Sequence, residues 1–151
     1  MANTQAMCTS FKTEILSGIH ALGTTVIRAG TGADTLKAAL YLASATVNAA
    51  TTAYSVTGEV SGAGYSAGGV TATNATAPTS SGTTAYWTPS ASFTYTTVTL
   101  TTSFDCVLVY NSTQSNKAIS VHTFGAQTIT AGTIVLSMPT NDSTNALIRI
   151  A

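Results

Sequence analysis

The apolar positions of this chain change period once, near the start. Met7, Phe11, Ile15 and Ile19 recur at steps of four, with Leu22 three further on, and this stripe predicts an amphipathic helix over about residues 10–22. Ser10 is a candidate N-cap and Gly23 a stop, while Lys12, Thr13 and Ser17 form the polar face. Gly18 interrupts the stripe and permits the close approach of another backbone. Such a stripe serves equally for packing on the chain's own domain and for contact with a neighbouring subunit.

Beyond the helix the period shortens. Leu36, Ala38, Leu40 and Leu42 alternate, which favours a strand over 34–43 in spite of its alanines. Residues 45–54 have room for a helical turn. Glycines then gather at 58, 62, 64, 68 and 69, predicting a loop with positive φ angles. Further strands are predicted at 70–73, 83–87, 92–100, 106–110, 118–124, 127–130, 133–138 and 146–150. Residues 111–116 read as a turn and Ala131-Gly132 as a tight hairpin. The stretch 72–81 is the most loop-like, and Pro78, Pro89 and Pro139 all fall between strands. Short strands punctuated by turns, without strand–helix alternation, indicate a mainly β fold. A jelly-roll-like β-sandwich with one short N-terminal amphipathic helix is the leading version. The chain reads as a single domain over 1–151, with its β body from about residue 34.

Composition changes this picture in one respect. Threonine (31), alanine (24) and serine (16) make up almost half of the 151 residues, while charged residues are 7% and the formal net charge is zero. An ordinary soluble domain carries about a quarter charged residues. Threonine's branched Cβ suits strands, which supports the β assignment. A neutral, hydroxyl-rich surface also tolerates packing against other copies, because charge repulsion is nearly absent. Leu, Ile, Val and Phe make up only about a fifth of the chain, which implies a thin core. Five scattered Lys and Arg form no basic stripe, so nucleic acid is not expected as a partner. No apolar run approaches membrane-spanning length, and no basic-then-apolar leader opens the chain. Cys8 and Cys106 make no disulfide framework, and Cys106, inside an apolar run, reads as a buried small residue.

Candidate chemistry is sparse. Gly64-Tyr65-Ser66-Ala67-Gly68 matches a nucleophile-elbow pattern, and Asp105 and His122 follow in the right order. That motif requires a strand–turn–helix junction, whereas a turn and a strand are predicted after Ser66, so no enzyme is expected. His20 and His122 lie in no metal-ligand spacing, and no cofactor is expected. His20 reads as packed or end-capping and His122 as solvent-facing or interfacial. Trp87 with Tyr86 and the other tyrosines could form a sugar-binding face, although strand aromatics in a core or subunit interface are favoured.

Two blocks carry a resemblance. TLKAALYLASATVNAATTAYSVTGEVSGAGYSAGGVT and VLVYNSTQSNKAISVHTFGAQTITAGTIVLSMPTNDSTNALIRIA are similar to a family of small virion proteins of tailed bacteriophages, and the N-terminal MANTQAMCTSFKTEILSGIHAL is similar in style. The resemblance implies a structural role, as a decoration or cement protein on the capsid surface. Its partners would be the major capsid protein and other copies of the chain, with a trimer favoured. Synthesis would be in the host cytoplasm and residence in the virion. It carries over no functional residues. Contacts to neighbours are expected from Phe11, Ile15 and Ile19 on the helix, from Gly64 and Tyr65 in the glycine-rich loop, and from Trp87. The alternative is a tail-fibre or head–tail module that binds a receptor or glycan.

Overall fold

The computed structural model describes residues 3–16, 18–23, 32–74 and 76–151, with the side chains of residues 12, 13 and 16 left outside. In chain order the elements are β1 (Ala6–Met7), α1 (Thr9–Leu16), β2 (Leu36–Leu42), β3 (Val70–Thr71), β4 (Thr79–Ser81), β5 (Thr84–Trp87), β6 (Phe93–Asn111), β7 (Lys117–Leu136) and β8 (Ile148–Ile150). They form two antiparallel sheets, one of five strands in the order β1-β7-β6-β2-β3 and one of three in the order β4-β5-β8. The fold is mainly β, as the sequence predicts. Trp87 and Ile148 from the small sheet join Leu36, Leu40, Phe93, Leu108 and Ile119 from the large one in a single apolar cluster.

The helix is shorter than its stripe. It ends at Leu16, and Gly18 is the terminator, with φ at +66°. The Gly18 amide donates to the Ile15 carbonyl and the Ile19 amide to the Glu14 carbonyl, the paired bonds of a Schellman close. A glycine that weakened the stripe thus stops the helix, and Gly23 plays no part in it. Ser10 lies inside the first turn instead of capping it, and its hydroxyl is buried without a partner. The polar face expected of Lys12, Thr13 and Ser17 lies outside the described side chains, as does Arg28.

β6 and β7 make one hairpin of 19 and 20 residues around the turn at 112–116. The sequence predicts five shorter strands here, and the breaks it places are real features of another kind. From the pair Tyr95–Ile134 to Val98–Gly132, β6 advances three residues and β7 two; from there to Leu100–Ile129 the excess passes to β7. Thr97 and Ala131 sit in these irregularities with φ of 53° and 46°, so Ala131-Gly132 is a β-bulge and not a hairpin turn. A further bulge between Leu100 and Phe104 accounts for the gap predicted between residues 100 and 106. The stretch 72–81 likewise departs from expectation, since Thr79–Ser81 pairs with β5.

β2 is buried on both faces, because Ala39 and Tyr41 are as enclosed as Leu36, Ala38 and Leu40. One of its edges pairs with β6 throughout, but on the other β3 covers only Lys37 and Ala38. The glycine-rich loop completes that edge: the Val60 amide donates to the Leu40 carbonyl and the Leu42 amide to the Gly58 carbonyl. A bare edge would offer unpaired backbone to other chains, and the loop removes it. Gly69, at φ +69°, lies so close to β2 that a Cβ would stand 1.7 Å from the Ala38 carbonyl oxygen. Gly69→Ala is therefore expected to destabilise the chain by about 3 kcal/mol or more, against about 1 kcal/mol for Gly82→Ala. Gly82 shares the positive φ but has open space around it, so denaturant titration of the two variants separates strain from collision.

Candidate functional site

Two polar clusters and one groove hold most of the chain's chemistry. The first cluster centres on Glu59, 9% exposed beneath the glycine-rich loop. Its Oε1 accepts from the Tyr65 hydroxyl at 2.8 Å and the Gly68 amide at 2.7 Å, and its Oε2 from the Tyr54 hydroxyl at 2.6 Å. Tyr65 in turn accepts the Leu40 amide, which is part of the β2 edge. Tyr110 donates to the Gly68 carbonyl and Tyr95 to that of Ala38, while Tyr54 stacks on Tyr110 and Tyr65 on Tyr95. Burial raises all four of these phenols, and the Glu59 charge raises them further, Tyr110 to about 12. They remain hydrogen-bond donors across the physiological range, which suits a carboxylate that needs donors.

The second cluster ties the N-terminal segment to the sheet. His20, its side chain fully enclosed, meets Glu14 through Nε2 at 2.7 Å and Asn111 through Nδ1 at 3.0 Å. Asn111 has no freedom in this arrangement. Its Oδ1 accepts the Thr113 and Gln114 amides of the hairpin turn, and its Nδ2 donates to Asp34 at 2.7 Å. Nδ1 of His20 therefore faces a donor and acts as acceptor, which places the proton on Nε2, toward Glu14. Burial pushes the Glu14 carboxyl upward, but hydrogen bonds from Lys117 and His20 and the charge of Lys117 outweigh it and hold Glu14 below the usual range. Phe11 packs edge-on against the His20 ring at 4.7 Å.

The groove, about 850 Å³, lies where the three-stranded sheet fails to cover the five-stranded one. Phe93 and Val107 of β6, Phe124 and Leu136 of β7 and Met7 of β1 line it, facing Leu147 and Arg149 near and on β8. His122 also lines it, half-buried, with its Nε2 2.9 Å from the Ser120 hydroxyl. Burial lowers His122 from an ordinary 6.5 to about 4, so the groove wall is uncharged at this position near neutrality.

The residues expected to contact neighbours separate. Phe11 (0% exposed) and Trp87 (1%) belong to the chain's own core, and the Trp87 indole donates to the Thr76 carbonyl, so neither ring is offered to a partner. Ile15 and Ile19 are half-buried, Tyr65 has its hydroxyl turned inward to Glu59, and Gly64, though exposed, lies against β6, where a Cβ would stand 2.3 Å from the Thr97 carbonyl oxygen. The structure does not assemble Ser66, Asp105 and His122. Ser66 lines a small cleft with Tyr95 and Thr96, Asp105 binds the Asn3 amide, and His122 binds Ser120. After Ser66 come left-handed Gly68 and Gly69 and then β3, not a helix. Cys8 and Cys106 are buried and unbridged, with burial pushing their thiols up to about 11 and about 12.

Glu59, Asn111 and Arg149 escape a reading of the sequence for chemistry. The nearest signal is Glu59 flanked by Tyr54 and Tyr65 in a glycine-rich stretch, where an isolated carboxylate reads as solvated. Among the described residues no group of three His, Cys, Asp or Glu is placed to hold a metal ion, and no helix is long and apolar enough to cross a membrane. No protein-family model, no curated protein and no solved structure matches the chain.

Glu59→Gln removes acceptor capacity from a buried site and leaves a hydroxyl or the Gly68 amide unpaired, a loss of about 2–4 kcal/mol. Hydrogen exchange is expected to accelerate at Val60 and Leu42, whose amides bridge the loop and β2. A second expectation concerns pH. The unfolded chain binds a proton at His122 near 6.5 and the folded chain only near 4, so this contribution is intact above 6.5 and declines as pH falls toward 4. His122→Gln should flatten the decline by on the order of 1–2 kcal/mol, read from denaturation midpoints across that window.

Proposed function

We propose that the chain is a structural virion protein of a tailed bacteriophage, a decoration or cement subunit that binds the outer capsid surface and stabilises the shell between capsomers. The observation that carries this reading is the distal half of the β6–β7 hairpin. Phe93–Phe104 and Thr123–Leu136 contain no charged residue and expose Thr94, Thr96, Thr97, Thr101, Thr102, Thr128, Thr130 and Thr133. Elsewhere the few charges are partly spent inside the fold, where Glu14, Asp34 and Glu59 are buried. Desolvating a threonine hydroxyl costs far less than desolvating a lysine or a carboxylate, and its hydrogen bond is directional. Such a surface suits repeated, specific contact with the major capsid protein and with copies of itself, a trimer being favoured. The resemblance to small phage virion proteins points the same way.

The glycan-binding alternative relies on exposed aromatics around Trp87, and Trp87 is buried. Subunits that bind only the assembled shell stabilise it by mass action. Particles lacking this protein are therefore expected to lose integrity at a lower temperature, at low ionic strength, than complete particles. Equal thermal release of the packaged genome from both would remove the cement role. Copy number in purified virions then separates shell from tail, since a tail component would be present at roughly a dozen copies or fewer.

A further inference from the structure

The groove between the two sheets is bordered by backbone that has no strand partner among the described residues. β1 pairs with the outer edge of β7 only at Ser120 and Val121, after which β7 runs on to Leu136 with no strand beside it on that side. The edge is bulged from Ala131 to Thr133 and regular from Ile134 to Leu136, where it pairs residue by residue with β6 on its inner side. Val135, 53% exposed, stands on this stretch and lines the groove. The groove's apolar side chains are joined by Gln5, Thr84, Ser137, Ser143 and Asn145, with Arg149 as the charged side chain, no Asp or Glu in the lining, and His122 carrying no charge near neutrality.

Each of these observations narrows the occupant. A row of free backbone N–H and C=O groups is satisfied by an extended polypeptide and wasted on a compact small molecule. An apolar floor selects side chains that alternate toward it, as those of a strand do. Arg149 is the charged side chain of the lining, with Asp142 within reach of its field, and a guanidinium there favours a carboxylate over an ammonium.

We propose that this groove accepts an extended segment of another protein, apolar on one face and carrying one acidic side chain, which adds to the β7 edge at Ile134–Leu136 and sets its carboxylate against Arg149. The inference rests on the reading of the chain as an assembly subunit only in supposing a protein partner. It concerns a different surface from the threonine-rich face.

The test uses the full chain and the probe acetyl-Ser-Val-Thr-Val-Glu-Val-Thr-Val-Ser-amide, followed by hydrogen exchange and fluorescence anisotropy. Binding is expected with slowed exchange within residues 134–136. A probe with Lys in place of Glu should bind about tenfold more weakly. Arg149→Gln should erase that preference, and Val135→Lys, at an exposed position that leaves the core intact, should abolish binding. The proposal is overturned by failure of the Glu probe to bind, by binding indifferent to Val135→Lys, or by binding without protection of the edge amides. It is also overturned if dodecanoate competes fully with the probe and itself leaves those amides unprotected, which would make the groove a site for acyl chains. Capsid stability enters none of these readouts, so the groove can fail while the cement role stands, and the reverse.

Discussion

A carboxylate removed from water must find its donors inside the protein, and Glu59 finds them in two tyrosines and one backbone amide. The organisation of the β2 side of the molecule follows from that requirement. To place Gly68 over the carboxylate the loop needs left-handed backbone at Gly64, Gly68 and Gly69. To hold Tyr65 in position, its hydroxyl also takes the Leu40 amide, which ties the site to the β2 edge. The loop so fixed supplies the backbone bonds that β3 is too short to give. One buried acid thereby converts a flexible-looking glycine-rich segment into the missing margin of a sheet. The Glu14–His20–Asn111–Asp34 chain performs the corresponding task on the opposite margin, anchoring the N-terminal helix to the hairpin turn.

This use of charge alters the meaning of the composition. A chain with so few ionisable groups would be expected to keep them outside for solubility, yet three of its acids are interior. The exterior is consequently poorer in charge than the sequence suggests, and the hydroxyls of β6 and β7 dominate it. The same scarcity leaves faces that can be brought together with small electrostatic penalty.

The fold class was legible in the sequence because threonine-rich, alternating segments have few alternatives to a strand, and the turn at 112–116 was legible from its own residues. The length of the two central strands was not. A bulge and a turn draw on the same residues, small or tolerant of positive φ, and only the partner strand distinguishes them; Ala131-Gly132 shows this directly. Phe11, read as a contact from the helix's apolar stripe, and Trp87, read as one from its place among the strand aromatics, are both buried in the core instead. Glu59 and the groove were illegible for a related reason. Each is assembled from segments far apart in the chain, so no local spacing announces them.

The bulges of the central hairpin also bear on how such a chain can change over time. In a regular ladder a single inserted or deleted residue inverts every side chain beyond it, turning core outward, and is eliminated. In this hairpin the excess residue alternates between the two strands, and the core positions Tyr95, Val98, Leu100 and Phe104 keep their inward orientation across unequal spacings. A one-residue length change near these points can be absorbed by creating or erasing a bulge. The distal half of the hairpin, which presents the neutral threonine face, is thus the part of the molecule best able to vary in length and outline while the core beneath it stays as it is.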